Sequence, residues 1–551
     1  MRFIFSAVIC FFSFSHIFSQ NYDSLFAEYL NFRSNNSASI KGNVILSNHD
    51  HKKCSFGTAE ILLENIDKLS IENQFSLKKL TERPKTQTSI ISPKGYFRIH
   101  YDSSGTQAPK YDVWQVAAAF DSSYNFEVNI LGFLPPPKDG TEGGDDRFDV
   151  YIQTLGAGSY GETRFSSINN KQYVSYTLID NSFTNIPTEG IDGAIVTAAH
   201  EFHHAIQVGN YGWNSEQIFF YELTSTSMEE FVFDDINDYY YYLPSYFRKP
   251  NNALSSFSGY ELALWNIYLV EKFIRSENDE YKGFNIIKRT WDIFAENKNS
   301  VEAISLALFE NGTNFNKEFL EFGLWCYFTG SRADSKYFSE GNHYPKIKPI
   351  NIYSFSPPQK EYMINTPPVS NSYLYFTKTP ASSDTLVTIL TNCDIDNYLQ
   401  TQSQISLNYS LLNYNETGSI KIVNNYYSII ESEKKDLLKE GNIYNYNIVS
   451  GQDFKYEVES YAFPQPFAYS KYDNLYIPVH KSDSNEAEVK IFSVDMKLVY
   501  SNLMQIQAND KVFVKWNGKN SNGNNLPTGV YFYLTKSGNK TTKGKFVIYN
   551  D

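Results

Sequence analysis

Residues 200–204 read His-Glu-Phe-His-His, and they contain His200-Glu201-x-x-His204. This spacing calls for a helix. Residues four apart on a helix stand on one face, one turn from each other, so His200 and His204 can each aim an imidazole nitrogen at one ion. Glu201 lies one step round, beside such an ion but outside its ligand set. There it can take a proton from bound water and pass it to a leaving amine. The pattern is the signature of a zinc hydrolase built on one helix. Three of the nine histidines in the chain fall in this stretch. Asp192-Gly193 opens the helix with Asp192 as N-cap, and Gly209 can end it. Ile195, Val196, Ala199, Phe202 and Ile206 supply its apolar surface. Helical geometry turns His203 off the metal face, toward a supporting or surface position.

Zinc takes four ligands, and a catalytic site keeps one position for water, so a third protein ligand is required. A second helix over 216–232 offers Glu216, Glu222, Glu229 and Glu230. Glu222 lies eighteen residues past His204, room for one turn and an antiparallel helix, and is the first choice for the ligand, with Glu229 as the alternative. Glu229 stands two turns further along the same face, and Glu230 is offset from it. Hydrolysis also needs a donor for the developing oxyanion. Tyr260, at the start of a third helix over 259–274, is the candidate, with His343 as the other choice. The cluster Tyr239-Tyr240-Tyr241-Tyr242 reads as packing or as a substrate-contacting rim. Asp234-Asp235-Ile236-Asn237-Asp238 carries the oxygens that calcium takes but lacks the loop spacing of a calcium motif. A solvated helix end is the reading there, with a calcium site as the alternative.

At 551 residues the chain is too long for one core. The net charge is −13 with acidic residues spread along the chain, which argues against nucleic-acid binding. Its 43 tyrosines and 42 phenylalanines suit β-structure, or reflect a biased genome. Residues 1–19 read as a secretory signal cleaved between Ser19 and Gln20. No later stretch reaches membrane-spanning length. Cys54, Cys326 and Cys393 then remain, widely spaced, with at most one bridge among them. Residues 20–90, helical at 25–32 and 60–69, form a propeptide or accessory region. Strands over 96–101, 148–152 and 172–179, a helix over 111–120 and the helices from 192 to about 328 make residues 91–353 an α+β domain. Residues 354–465 are β-rich. Residues 466–551 read as a small β-sandwich with strands over 487–494, 511–516, 529–535 and 544–549, and an Asn- and Gly-rich loop over 517–525.

Thr197-Ala198-Ala199-His200-Glu201-Phe202-His203-His204-Ala205-Ile206-Gln207, followed by Tyr221-Glu222-Leu223-Thr224-Ser225-Thr226-Ser227-Met228-Glu229-Glu230, resembles a family of secreted bacterial zinc metalloproteases. Its members are of the gluzincin style, with two histidines and a downstream glutamate on zinc. Matched residue by residue, the family's ligand glutamate falls on Glu222 and its later glutamate on Glu229. Gly95-Tyr96-Phe97-Arg98-Ile99-His100-Tyr101 and Asp145-Asp146-Arg147-Phe148-Asp149-Val150-Tyr151-Ile152 are similar to further landmarks, so the resemblance spans roughly residues 85–275. It implies a zincin-like catalytic domain, one Zn2+ held by His200, His204 and Glu222, and Glu201 as general base on a protein or peptide substrate. The match departs at Ser225 and Ser227, where the family has Ala and Trp. It departs again at Thr226, where many gluzincins carry an Asp that orients a histidine.

Val514-Lys515-Trp516-Asn517-Gly518, Leu526-Pro527-Thr528-Gly529-Val530-Tyr531 and the ending Lys545-Phe546-Val547-Ile548-Tyr549 resemble the C-terminal sorting domain of type IX secretion, a Bacteroidetes system. That resemblance implies export across both membranes to the cell surface or the medium, with the type IX machinery as partner. The expectation is therefore a multidomain secreted zinc metallopeptidase. The competing class is a non-catalytic adhesin or binding protein whose zinc site is structural or degenerate. The intact Glu201 favours the enzyme, since a purely structural site has no use for it.

Overall fold

The alternation in Phe97-Arg98-Ile99-His100-Tyr101 becomes the second strand of a five-stranded mixed sheet. The computed structural model describes residues 22–33, 53–156, 158–169, 172–296, 299–349, 351–355, 366–378, 384–400, 411–414, 419–422, 427–432, 462–480, 486–508, 512–538 and 540–550. The expected signal segment lies outside them. Contacts divide the chain into two units, residues 1–125 with 135–209, and residues 126–134 with 210–551.

The sheet of the first unit has the order β1 (Thr88–Ile91), β2 (Phe97–Tyr101), β3 (Phe148–Gln153), β5 (Gln172–Asp180), β4 (Gly161–Asn169). The three central strands run parallel, and β1 and β4 run antiparallel at the two edges. The strands expected at 96–101, 148–152 and 172–179 are therefore present, and β1 and β4 are additional. Val150 and Ile152 of β3 are buried on one face and Tyr151 on the other, as a central strand requires. Helix α4 (Val113–Tyr124) is capped by Asp112, whose carboxylate accepts the Trp114 N–H at 2.9 Å.

Helix α5 (Gly190–Tyr211) carries the His-Glu-x-x-His residues and is buried along almost its whole length. Its ends differ from expectation. Gly190, at φ +66°, donates its N–H to the Phe183 carbonyl and starts the helix two residues early. Asp192 is thus a first-turn carboxylate that complements the helix dipole and not the N-cap. Gly209 does not end the helix either. A Cβ there would lie 2.5 Å from Pro137 Cδ, so the glycine makes room for the proline loop while the helix runs on to Tyr211. Phe202 anchors α5 to the sheet, with its ring centroid 5.1 Å from Phe97 and 6.0 Å from Phe148. Two residues turn a helix by about 200°, so fixing Phe202 against the sheet sends His200 and His204 to the opposite side.

The N-terminal region contributes helices α1 (Tyr22–Arg33), α2 (Thr58–Glu64) and α3 (Ile71–Leu80). They share a small core of Phe26, Tyr29, Ala59, Leu62, Leu69 and Leu77. The single helix expected over 60–69 is broken at Asn65, and Ser70 caps the next one by accepting the Asn73 N–H. These helices dock on β4 through ion pairs of Arg33 with Glu162 at 3.1 Å and Arg164 with Glu60 at 3.0 Å. The Tyr29 hydroxyl also donates to Glu162 at 2.9 Å.

The second unit holds six helices among its described residues: α6 (Ile218–Val232), α7 (Leu243–Arg248), α8 (Ala263–Glu277), α9 (Lys282–Phe294), α10 (Ser300–Glu310) and α11 (Phe315–Tyr327). Trp291 of α9 is fully buried, stacked on Phe220 at 4.4 Å and donating to the Thr224 hydroxyl at 3.2 Å. Strands β6 (Asn351–Phe355), β7 (Ser370–Lys378), β8 (Asp384–Asn392) and β11 (Tyr427–Ser432) form a four-stranded sheet. Strands β9 (Leu411–Tyr414) and β10 (Ser419–Ile422) pair with each other. Beyond residue 466 come β12 (Phe467–Ala468), β13 (Leu475–Pro478), β14 (Glu486–Ser493), β15 (Leu498–Gln505), β16 (Gln507–Ala508), β17 (Val512–Trp516), β18 (Gly529–Ser537) and β19 (Lys540–Tyr549). They make a five-stranded sheet, β12-β19-β18-β14-β15, and a three-stranded sheet, β13-β17-β16. Both sheets supply one core, with Leu475, Ile477, Val514 and Trp516 from the smaller and Val489, Ile491, Tyr533 and Phe546 from the larger. Among the described residues no helix is long and apolar enough to cross a membrane.

Candidate metal centre

The register of α5 brings His200, Glu201 and His204 together. The Nε2 atoms of His200 and His204 stand 3.1 Å apart, with the rings nearly perpendicular at 86°. His204 Nδ1 lies 2.7 Å from Gln207 Oε1, an acceptor, so Nδ1 carries the proton and Nε2 presents its lone pair. Zinc–nitrogen bonds of about 2.0–2.1 Å at a tetrahedral angle hold two nitrogens roughly 3.3 Å apart. The pair thus fits a shared ion. Without one, the same separation fits a hydrogen bond from His200 to His204. Both side chains are at most 1 % exposed.

Glu201 is fully buried and is held from β4. The Thr163 hydroxyl lies 2.7 Å from Glu201 Oε2 and 2.8 Å from the Glu201 carbonyl, and Thr177 stands 3.0 Å behind it. One hydroxyl proton serves one of those acceptors at a time, while Thr177 can donate to Thr163. Glu201 Oε1 makes no hydrogen bond of ordinary geometry among the described residues. Burial raises the carboxyl above its usual range, and His200, His204, Thr163 and Cys54 oppose the rise. Gly161 lies directly beneath: a Cβ there would come within 2.7 Å of Glu201 Cγ and Oε1.

A further donor joins the pair. Cys54 Sγ and the ring nitrogens of His200 and His204 all lie within 4.8 Å of one another. Two histidine nitrogens and a thiol, all buried, are a donor set that suits zinc. Cys54, Cys326 and Cys393 are all buried and form no disulfide with one another, so the one bridge allowed by the sequence is not made. Nothing in the spacing of three scattered cysteines marks Cys54 out. Thr163 and Gly161 were missed with their strand, although Gly161-Glu162-Thr163-Arg164-Phe165 carries some alternation. His203 is fully buried rather than at the surface, and burial holds its ring neutral by pushing its pKa well down.

On the second unit, Glu222 sits in the first half of α6 at 3 % exposure. Gly259, at φ +114°, passes so close that a Cβ would lie 2.6 Å from Glu222 Cβ. Tyr260 begins the short 3-10 turn ahead of α8, is 2 % exposed and packs against Tyr242 at 5.0 Å. His343 is exposed and stacks on Tyr240. Glu216 is exposed in the turn before α6, and Glu229 is buried near its end. Glu230 is buried too, and burial together with Glu340 and Asp234 pushes its carboxyl up to about 10. Asp234 and Asp235 are exposed just past α6, as a helix end would place them, and that stretch supplies no metal-ligand cluster among the described residues.

No family model matches the sequence, and no curated protein matches it. One solved structure that it matches is described as PorZ, an essential bacterial surface component of the type-IX secretion system of Porphyromonas gingivalis. That match has 16 % identity and a TM-score of 0.15, and covers 32 % of this chain and 23 % of that one. A TM-score so low does not establish a shared fold.

Proposed function

We propose that this chain is a zinc-dependent metallopeptidase in which His200, His204 and Glu222 hold the ion and Glu201 is the general base. The observation that carries the reading is the 3.1 Å convergence of two buried imidazole nitrogens with an anchored, buried carboxylate one residue away. Glu222 is the natural third ligand, since α6 is the next helix after α5 and a carboxylate at 3 % exposure needs a cation or donors around it. A zinc ion bound there supplies Lewis acidity and lowers the pKa of a coordinated water. Gln207 fixes the His204 tautomer, as outer partners of ligand histidines do. Thr163 holds Glu201 Oε2, which leaves Oε1 to take a proton from the attacking water and return it to the leaving amine. Tyr260 is the assigned oxyanion donor.

The mixed sheet with an antiparallel edge strand beside the histidine helix supports a zincin-like domain, and an edge strand such as β4 can pair with an extended peptide. The two sheets beyond residue 466 are read as a β-sandwich that acts as a type IX sorting domain, and on that reading the protein acts at the cell surface or in the medium. This rests on Trp516-Asn517-Gly518, Pro527-Thr528-Gly529-Val530-Tyr531 and the last strand, β19. The test is zinc analysis with an unbiased peptide-cleavage profile on wild type and Glu201→Gln. Loss of cleavage with zinc retained supports the enzyme. Wild-type protein that binds no zinc and cleaves no peptide favours the binding protein.

A further inference from the structure

Residues 53–56 lie along the edge that a substrate would use. Cys54 pairs with Gly161 as a parallel β-bridge, and Tyr160 donates its N–H to the Lys53 carbonyl at 2.8 Å. Phe56 lays its ring flat on His204, centroids 3.8 Å apart and planes 2° from parallel. Cys54 and Phe56 are 3 % and 2 % exposed. Gly57 then turns at φ +71°, a conformation that favours glycine, and leads into α2. Helices α1 and α2, which flank this segment in sequence, are held to β4 by the Glu60–Arg164 and Arg33–Glu162 pairs. The Cys54 sulfur is within 4.8 Å of both ring nitrogens. Glu201 Oε1, buried above Gly161, makes no hydrogen bond of ordinary geometry at the same place, and the Cys54 thiol beside that carboxylate favours its charged form.

We infer that Cys54 is an inhibitory ligand: its thiolate takes the position at the His200–His204 centre that the attacking water needs, and residues 53–56 cover the β4 edge as a pseudo-substrate. The inference rests on the metal-binding reading above and adds that the full chain is latent. In balance, the Sγ–H bond breaks and its proton goes to solvent. A sulfur–metal bond forms, and one bound water leaves. Loss of the sulfur ligand lets water return, and full activity further requires residues 53–56 to be withdrawn so that the β4 edge is freed.

X-ray absorption at the zinc edge of the full wild-type chain tests this without any variant. One sulfur at about 2.3 Å is expected beside nitrogen and oxygen at about 2.0–2.1 Å. In Cys54→Ser the sulfur is expected to vanish, with one zinc per chain retained and peptide cleavage raised at least about tenfold, which is about 1.4 kcal/mol in the barrier. Zinc bound by nitrogen and oxygen alone in the wild type overturns the inference and leaves the peptidase reading standing. A sulfur that persists in Cys54→Ser also overturns it. A wild-type chain that binds no zinc overturns both.

Discussion

Gly161→Ala tests whether the space under Glu201 is used for catalysis. The added Cβ would lie 2.7 Å from Glu201 Cγ and Oε1 and 2.9 Å from Thr197 Cγ2. Carbon contacts settle at about 3.5–4.0 Å, so one partner must retreat by roughly 1 Å. Thr197 cannot turn away easily, because its hydroxyl is bonded at 2.7 Å to the Gly193 carbonyl within the helix. Glu201 therefore gives way and strains its 2.7 Å bond from Thr163. Overpacking of this kind costs about 1–3 kcal/mol of stability. A displacement of about 1 Å in a catalytic group costs about 100-fold in rate, or about 2.7 kcal/mol in the barrier. The three atoms nearest the new methyl belong to Glu201 and Thr197 and not to His200 or His204, so zinc stoichiometry is expected to hold. The assay is kcat on a peptide in the Cys54→Ser background, with zinc content and a thermal melt on the same sample. Wild-type kcat with full zinc would refute the reasoning. Loss of zinc together with activity would refute it equally, since the methyl would then have collapsed the site rather than moved the base.

Glu230→Gln probes the carboxyl pushed up to about 10 by burial and by Glu340 and Asp234. Its folded pKa lies above the unfolded value, so its contribution is complete below about pH 4.3 and is lost as pH rises toward 10. Wild-type stability should fall between pH 5 and 8 by about 1–3 kcal/mol more than that of the glutamine variant. Parallel melting curves across that window would contradict this. Lys272→Met leaves Glu318 buried with the Tyr268 and Thr313 hydroxyls and the more distant Lys317 ammonium at 3.8 Å, and should cost about 3–5 kcal/mol in denaturant unfolding. A cost under about 1 kcal/mol would mean that these remaining groups satisfy the carboxylate. Phe56→Ala removes the ring stacked on His204, worth about 3–5 kcal/mol for a buried phenylalanine. Faster proteolytic nicking near residue 56 and faster peptide cleavage, with zinc retained, are expected. An unchanged nicking pattern would show that the ring does not hold the segment down.

The parts of the site that the sequence made legible are those that lie close together in the chain. His200, Glu201 and His204 are set by helical period alone, and Phe202 confirms the register by packing on Phe97 and Phe148. The central strands were readable because apolar and polar residues alternate in them. Strand β4 was not, since its first half, Gly161 to Phe165, is buried throughout and its last four residues are exposed, so no regular alternation marks the whole. Its buried charges gave no signal either: Glu162 and Arg164 are satisfied by Arg33, Tyr29 and Glu60, more than a hundred residues away in sequence. Cys54 was illegible for the same reason. Its meaning comes from a pairing with Gly161 that only the fold creates. The helix ends went astray because Gly190 and Gly209 act through φ and through close packing on Pro137, which composition does not distinguish from capping.

Within the first unit, the elements around the site are not equally anchored. His200, Glu201 and His204 are at most 1 % exposed, so no peptide reaches them without movement. Strand β4 is tied to β5 in continuous register from Gly161 to Ser167, and α5 is a single 22-residue helix. Moving either would dismantle the sheet or the His200–His204 pair. Residues 53–56 are held by the Cys54–Gly161 bridge, the Tyr160-to-Lys53 hydrogen bond, Lys53 over the Tyr160 ring and the Phe56 ring against Phe165 and His204, none of which belongs to the β4–β5 ladder or to the backbone of α5. On the proposed reading the segment that covers the edge also carries the thiol, so in the wild-type chain freeing the edge and losing the sulfur ligand are one event. Across any series of activating changes, cleavage rate and the loss of zinc-bound sulfur should therefore rise together, sample by sample. A variant that gains full activity with its sulfur still bound would separate the two and break that logic.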